Sequence, residues 1–245
     1  MSAPRFFVPG VAADIGVEIA LPDGVAHHAT RVLRLAAGAP LVLFGGDGGE
    51  YAATLSKIDK RGATARIERF DPVERESPLA LTLVMAIIAA DPMDVAVRKA
   101  VELGAIAVAP VIAARSQRIA GAAKTDKRLL HWQQIAIAGC EQCGRNRVPV
   151  VEPPAPFGQW LASRDPAAGA VMLVPGAASS LPVVARTLRL RHVLVGPEGG
   201  FTDDEVAQAL ANGIQAAHLG PRVLRAETAA IAALATLNAA AGDCA

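Results

Sequence analysis

The chain has 245 residues, of which 52% are hydrophobic and 4% aromatic, and its formal net charge is +1. This length suffices for one large domain or two modest ones, and the near-neutral charge does not by itself indicate a nucleic-acid-binding protein. The longest apolar run, residues 79–90, is shorter than the roughly 20 residues of a membrane span. The first ten residues lack the apolar stretch of a signal peptide. We therefore expect a soluble, cytoplasmic protein.

Residues 1–70 have the pattern of a small β-rich unit. Apolar spacing predicts a helix at 27–35, and a polar segment bracketed by prolines, residues 71–78, marks a domain boundary. No motif in this region carries chemistry, and two interpretations stay open, a structural barrel and an RNA-contacting module. The predicted strands are Arg5–Val8, Leu41–Phe44, Tyr51–Ile58 and Ala63–Phe70.

From residue 79 onward, buried-strand and helical patterns alternate, which predicts an α/β fold with a largely parallel sheet covered by helices. The last helix is apolar on nearly every side, so it must be buried in the subunit or in a partner interface. The predicted strands are Leu79–Ile88, Ile106–Ile112, Val148–Val151, Ala170–Val174, His192–Val195 and Ala216–Leu219. The predicted helices are Asp94–Leu103, Lys127–Cys143, Phe157–Ser163, a short one after Thr202, and Glu227–Asn238.

Basic residues are concentrated between positions 115 and 147, where only Asp126 and Glu141 oppose them. Two interpretations stay open, a patch that faces RNA phosphates and a solvated helix face. The basic residues of this segment are Arg115, Arg118, Lys124, Lys127, Arg128, Arg145 and Arg147.

Cys140 and Cys143 have the C-x-x-C spacing of redox and zinc sites. No second cysteine pair or well-spaced histidine pair completes a four-ligand site, so we interpret them as two thiols on a helix and expect no metal. We likewise interpret His27-His28 as a polar pair at a helix start.

Two predicted strands near the end of the chain each run directly into a glycine, Gly196 and Gly220. In an open α/β sheet, ligands bind outside the carboxyl ends of the strands, where glycines let backbone amides come close. Since one helix separates these two strands, their ends could form two sides of one pocket.

The first of these loops reads G-P-E-G-G over Gly196–Gly200 and precedes a capping box at 202–205. It has neither the Gly-Lys-Ser/Thr of a P-loop nor the G-x-G-x-x-G of a dinucleotide site, and Glu198 with the acids downstream disfavours phosphate. A cofactor without phosphates and with positive charge fits better. S-adenosylmethionine, with its sulfonium and ammonium groups, has both properties.

The second loop places Arg222 and Arg225 among apolar residues, ahead of Glu227-Thr228 at a helix N-terminus. One interpretation is a helix cap with an Arg–Glu salt bridge. The other has Arg225 reaching a substrate while Glu227 and Thr228 fix a cofactor-binding loop.

Together, G-P-E-G-G-F-T-x-x-E and L-G-x-R-V-L-R-x-E-T-A resemble the C-terminal signature of the SPOUT RNA methyltransferases, and more narrowly that of the bacterial 16S ribosomal RNA uracil-N3 methyltransferase family. Three more segments are similar to that family: K-x-x-E-L-G at 99–104 with Pro110 and Arg115-Ser116, E-Q-x-G-R at 141–145 with Pro149, and Arg5–Val8 with His28 and Val32–Arg34. One departure is residues 91–94, where family members often carry a lysine and a glycine, which puts one RNA contact in doubt.

The resemblance implies a PUA-like β-barrel at residues 1–72 and a SPOUT domain with a C-terminal trefoil knot at 73–245. A knot contradicts the rule that chains do not thread themselves, so no periodicity argument predicts it. The resemblance also implies an obligate homodimer with its active site near the interface.

The implied reaction is methyl transfer from S-adenosylmethionine to N3 of a uridine in 16S ribosomal RNA of the small ribosomal subunit. We expect Arg225, or next Arg222, to stabilise negative charge on the uracil, and Glu198 and Glu227 are candidate bases. Predicted RNA contacts are Arg5, Arg34, Arg115, Arg118, Arg145 and Arg147. Predicted cofactor contacts are Leu173, Val174, Pro175, Val195, Gly196, Pro197, Glu198, Gly199, Gly200, Leu219, Gly220, Val223, Leu224, Arg225, Glu227, Thr228 and Ala229.

Two alternatives stay open. One is a SPOUT enzyme that modifies another ribosomal or transfer RNA site, because this fold serves many targets. The other is a non-catalytic RNA-binding protein of ribosome assembly, against which the two intact cofactor loops argue.

Overall fold

The computed structural model describes residues 3–60, 62–117 and 122–244. It divides the chain into two units, the first formed by residues 1–76 and 140–148, the second by residues 77–139 and 149–245. Within the described ranges, no helix is long and apolar enough to cross a membrane.

The strands of the first unit are β1 (Arg5–Phe7), β2 (Glu18–Ala20), β3 (Pro40–Phe44), β4 (Glu50–Asp59) and β5 (Gly62–Asp71). They form a mixed sheet in the order β1-β3-β4-β5-β2, in which only β1 and β3 are parallel. Buried residues alternate along β4 and β5, so one face of the sheet packs a core that includes Phe6, Leu43 and Ile67. The four predicted strands are confirmed, and β2 was not predicted because three residues carry almost no periodic signal.

A short helix, α1 (Asp23–His27), continues into a π-helical turn at His28–Val32. The predicted helix at 27–35 is therefore wrong in its bounds, and His27-His28 lies where α1 ends rather than where a helix starts. The chain leaves the turn through Arg34, whose φ of 54° is in the left-handed region usually reserved for glycine.

The segment 140–148 belongs to the first unit through polar contacts. Arg5 donates to Glu50 at 2.5 Å and to Asn146 at 2.6 Å, and Arg75 donates to Glu50 at 2.9 Å. Arg145, which is 3% exposed, is ion-paired with Glu76. Burial by itself would raise the pKa of Glu50, but the hydrogen bonds from Arg75 and Arg5 lower it to about 2.

The strands of the second unit are β6 (Thr82–Ala86), β7 (Ala107–Ile112), β8 (Val150–Val151), β9 (Ala155–Pro156), β10 (Gly169–Leu173), β11 (Leu190–Val195) and β12 (Gln215–Ala217). Its helices are α2 (Ala90–Glu102), α3 (Ala122–Cys143, whose last turn lies in the first unit), α4 (Phe157–Ser163), α5 (Leu181–Thr187), α6 (Asp203–Ala211) and α7 (Ala226–Ala241). The strand order is β12-β10-β11-β6-β7-β8 with β9 also beside β7, and all of these pairs are parallel. The predicted parallel sheet flanked by helices is confirmed.

Local signals explain several helix ends. Gly104, with a φ of 79°, ends α2 as predicted. The predicted start of α2 at Asp94 is wrong, since the helix begins at Ala90. Pro92 is tolerated in the first turn because the N–H groups of that turn have no hydrogen-bond partner within the helix. The capping box of α6 is also confirmed, since Thr202 and Glu205 each accept from the other's backbone N–H. The seven-residue α5 was not predicted.

The final helix, α7, packs on α2, α5 and β11. Its buried face includes Leu234, Leu237 and Asn238, and the amide of Asn238 accepts from Ser77 at 2.9 Å and donates to the Leu103 carbonyl at 2.8 Å. Ala235 and Ala239 are exposed in the single chain, so the subunit by itself buries one face of α7. The trefoil knot stays a prediction.

Candidate active site

A pocket of about 570 Å³ lies at the carboxyl ends of the adjacent strands β10, β11 and β12. This is the edge where an open α/β sheet binds ligands. The predicted cofactor residues that line it are Leu173, Val174, Pro175, Val195, Gly196, Pro197, Glu198, Gly200, Leu219, Gly220, Val223, Leu224, Arg225, Glu227 and Ala229. Gly199 and Thr228 are adjacent in the chain but are not among the lining residues, which also include Pro92, Phe201, Val206, Ala217, His218, Arg222 and Ala226.

The loop after β11 has no room for a side chain at its first position. A Cβ on Gly196 would lie 3.0 Å from the Phe201 ring and 3.1 Å from the Phe201 backbone nitrogen. The loop then turns back, since the Gly200 N–H donates to the Pro197 carbonyl at 2.8 Å. The close contact with Phe201 therefore requires glycine at position 196, and Gly196, Pro197, Glu198 and Gly200 of this loop line the pocket.

Two side chains hold this loop against the segment that follows β7. Glu205, which is 8% exposed, accepts from the Thr202 N–H at 2.9 Å and from the Ala114 N–H at 2.7 Å. Arg115 is exposed and donates to the Gly199 carbonyl at 2.7 Å. Arg115 thus directly supports the loop after β11, a contact that the sequence analysis did not predict.

Glu198 accepts a hydrogen bond from the Ala89 N–H at 3.1 Å. Ala89 is the N-cap of α2, so the carboxylate lies where the helix dipole favours negative charge. This contact gives Glu198 a structural role beside its position in the pocket.

The N-terminus of α7 forms another side of the pocket. Arg225 is the N-cap without a side-chain capping bond, and Glu227 lies in the first turn, where the helix dipole also favours an acid. In the part of the chain that the structure describes, neither Arg222 nor Arg225 forms an ion pair. The interpretation of this loop as an Arg–Glu salt bridge is therefore wrong, and both guanidinium groups remain available.

His218, at the end of β12, also lines the pocket and was missed by the sequence reasoning. Its Nδ1 accepts from the Gly220 N–H at 2.9 Å, and its backbone is bonded to Ser179 and Leu181 at 3.0 Å each. One signal could have found it, a histidine two residues before the glycine that ends a predicted strand.

Apart from Arg115, which contacts the Gly199 carbonyl, the predicted RNA contacts fall into three groups. Arg5 and Arg145 are held in ion pairs within the first unit, which favours a structural role for both. Arg34 is exposed, and the Arg147 side chain is 54% exposed with a 3.5 Å contact to Glu74. Arg118 lies outside the described residues.

Cys140 and Cys143 are free thiols in the last turn of α3, as predicted. Burial raises the pKa of Cys140 to about 12, so its thiol stays protonated and unreactive at neutral pH. Among the described residues, no group of three or more His, Cys, Asp or Glu side chains could hold a metal ion.

The protein-family model for an RNA methyltransferase domain matches residues 75–238 of this chain. The protein-family model for an RNA methyltransferase PUA domain matches residues 21–68. The chain is 32% identical over 232 residues to ribosomal RNA small subunit methyltransferase E of Synechocystis, covering 92% of this chain and 74% of the relative. It belongs to the ribosomal RNA small subunit methyltransferase E family. The corresponding protein of Mycobacterium tuberculosis is 30% identical over 256 residues, covering 100% of this chain and 97% of the relative.

Solved structures of the family agree with the fold. The ribosomal RNA small subunit methyltransferase E of Neisseria gonorrhoeae, crystallised bound to S-adenosyl methionine, matches with a TM-score of 0.92 and 37% identity over 99% of both chains. A protein of Legionella pneumophila in complex with the bound cofactor SAM matches with a TM-score of 0.92 and 34% identity, covering 99% of this chain and 100% of the other. The predicted family and the PUA-like N-terminal domain are thereby confirmed.

Proposed function

We propose that this chain transfers a methyl group from S-adenosylmethionine to N3 of a uridine in 16S ribosomal RNA of the small ribosomal subunit. The observation that carries the proposal is the pocket of about 570 Å³ formed by the carboxyl ends of β10, β11 and β12. Its volume is within the usual range for a cofactor site. Support comes from the Neisseria relative of the same fold, which was crystallised with this molecule.

The pocket residues fit this cofactor. Apolar side chains such as Leu173, Val195 and Leu219 suit an adenine ring, and Gly196, which lines the pocket without a side chain, lets the ring come close to the backbone. The carboxylates of Glu198 and Glu227 suit its positive charges, whereas they would repel phosphates. When bound, S-adenosylmethionine supplies a methyl group on a positively charged sulfur.

We assign to Arg225, which lines the pocket, the stabilisation of the acceptor base. Loss of the N3 proton puts negative charge on the uracil ring, and a guanidinium group without an ion pair can offset that charge as it develops. Glu227 is the better candidate to take the proton. Glu198 is engaged by the Ala89 N–H, whereas the Glu227 carboxylate has no hydrogen-bond partner within the described ranges.

RNA binding is assigned to the exposed arginines Arg34, Arg115 and Arg147. Each can reach phosphates without breaking a buried ion pair, unlike Arg5 and Arg145. RNA affinity should fall steeply as the salt concentration rises.

We also propose that the chain works as a homodimer. Ile231, Ala235 and Ala239 follow one another at four-residue spacing along α7 and form an apolar stripe that the single chain leaves partly open. A second copy packed on this stripe would complete the burial of α7. Sedimentation equilibrium should give two copies per particle at micromolar concentration, and a monomer would contradict the proposal.

The reaction is tested by incubating the chain with methyl-labelled S-adenosylmethionine and one of three RNA substrates: unmethylated small ribosomal subunits, large subunits or transfer RNA. We expect label in the small subunit only. Label in another RNA would favour a different target for the same chemistry. Tight binding to small subunits without transfer would favour the non-catalytic assembly protein.

A further inference from the structure

A second cavity, of about 330 Å³, adjoins the cofactor pocket. Its walls include Pro175, Gly176, Pro221 and Val223. It shares Pro175, His218, Gly220, Arg222 and Val223 with the first pocket, so the two are contiguous. A group held in the second cavity is therefore next to whatever fills the first.

The chemistry of this cavity fits a flat, polar-edged ring. Proline and valine side chains offer apolar faces against which a base extruded from RNA can stack. Val223 is 81% exposed, an unusual exposure for a large apolar side chain, and an inserted base would cover it. Among the residues that line this cavity, His218 and Arg222 are those with polar side chains.

The hydrogen bond at Nδ1 determines what His218 can do. Because Nδ1 accepts from the Gly220 N–H, the proton of the neutral imidazole is on Nε2. Nε2 has no partner among the residues that the structure describes. His218 is therefore a hydrogen-bond donor toward a ligand, and it cannot at the same time act as a base through Nε2.

We propose that this second cavity holds the target uracil, with His218 Nε2–H and the Arg222 guanidinium donating to the two carbonyl oxygens that flank N3. The inference rests on the proposed function and deepens it. Uracil presents an acceptor on each side of N3, whereas cytosine presents an amino group on one side, so two donors select uracil. When N3 loses its proton, the negative charge spreads onto the same two oxygens, and both hydrogen bonds strengthen.

A matched pair of variants separates this role from a structural one. In His218→Asn the shorter amide keeps an acceptor near the Nδ1 position for the Gly220 N–H but loses the donor at Nε2. In His218→Gln the longer amide keeps a donor near the Nε2 position and loses the acceptor. The readouts are S-adenosylmethionine affinity by calorimetry, and kcat and KM for unmethylated small ribosomal subunits.

We expect His218→Asn to bind S-adenosylmethionine within about twofold of the wild type and to lose kcat by about 10²-fold, the cost of removing one donor to a developing oxyanion. KM should change little, because most RNA affinity comes from phosphate contacts elsewhere. His218→Gln should keep more of the wild-type kcat than His218→Asn.

An unchanged kcat in His218→Asn would overturn the inference. So would a parallel loss of S-adenosylmethionine affinity and kcat in both variants, since His218 would then act only through the Gly220 loop. A wild-type chain that binds no S-adenosylmethionine and methylates no subunit would instead overturn the proposed function, and the uracil site with it.

Discussion

Glu205, in the first turn of α6, accepts a hydrogen bond at 2.7 Å from the backbone N–H of Ala114, a residue 91 positions earlier in the chain. The same carboxylate accepts from the Thr202 N–H at 2.9 Å. The buried side chain of Glu205 thus caps α6 and connects the loop after β11 to the segment after β7.

Replacing Glu205 by alanine should destabilise the chain by about 1–3 kcal/mol, because the partly buried hydrogen bonds from the Ala114 and Thr202 N–H groups are both lost. Urea denaturation measures this loss. The control is Asp204→Ala, which removes an exposed acid from the same turn and should cost less than about 0.5 kcal/mol. Equal losses in the two variants would mean that Glu205 acts only through the helix dipole.

Replacing Arg225 by alanine should lower the turnover number by about 10²–10³-fold and leave S-adenosylmethionine affinity unchanged, because the guanidinium acts on charge that develops during the reaction. Single-turnover methylation and calorimetry measure the two quantities. Arg189→Ala, at the amino end of β11 and so at the opposite edge of the sheet, should match the wild type. An equal loss of affinity and turnover would show that Arg225 binds the cofactor and does not act on the acceptor base.

Replacing Glu198 by glutamine should lower the affinity for S-adenosylmethionine by about two- to fivefold, the range expected for an exposed charge pair. The affinity for S-adenosylhomocysteine, which lacks the sulfonium charge, should stay near the wild-type value. The amide oxygen of glutamine can still accept from the Ala89 N–H, so the loop should keep its shape. Equal losses for both molecules would show that Glu198 acts through the loop and not through charge.

Acid should destabilise the first unit through Glu50. The pKa of Glu50 is about 2 in the folded chain, whereas its ordinary value is 4.5. The contribution of the Glu50 carboxylate to the free energy of unfolding is therefore complete above pH 4.5 and is lost as the pH falls toward 2. We expect a loss of about 1–2 kcal/mol, smaller than the full shift implies because the ion pairs still touch solvent.

The measurement is hydrogen exchange in β4, pulse-labelled at one fixed pH after equilibration at pH 7, 4.5 and 2.5. Glu50→Gln should remove most of the change, and Glu68→Gln, an exposed acid on β5, should not. A wild-type response that survives in Glu50→Gln would assign the acid sensitivity to another group.

Local patterns predicted the parts of the molecule that local chemistry determines. The bounds of α4 match the prediction, and Thr202 with Glu205 forms the predicted capping box. The acceptor role of Glu205 toward Ala114 was not predictable, because no local pattern contains a contact between residues so far apart. The hydrogen bond of Arg5 to Glu50, a residue 45 positions away, was not predictable for the same reason.

The candidate site was predicted in outline. Glycines at the ends of β11 and β12 located the pocket, and fifteen of the seventeen predicted cofactor residues line it. The role proposed for His218 was not predictable from the sequence, because it depends on a hydrogen bond from the Gly220 N–H that fixes the position of the imidazole proton. The final helix looked apolar on all sides because alanine is small enough to sit on either a buried or an exposed face.

The central claim is that this pocket directs a methyl group to N3 of uridine. The most direct measurement digests 16S ribosomal RNA to nucleosides after incubation of unmethylated small subunits with the chain and S-adenosylmethionine, and identifies the product by mass spectrometry against authentic 3-methyluridine. We expect 3-methyluridine at one position, formed only when the chain is present. A methyl group on a ribose or on a ring carbon, or no methyl group at all, would contradict the claim.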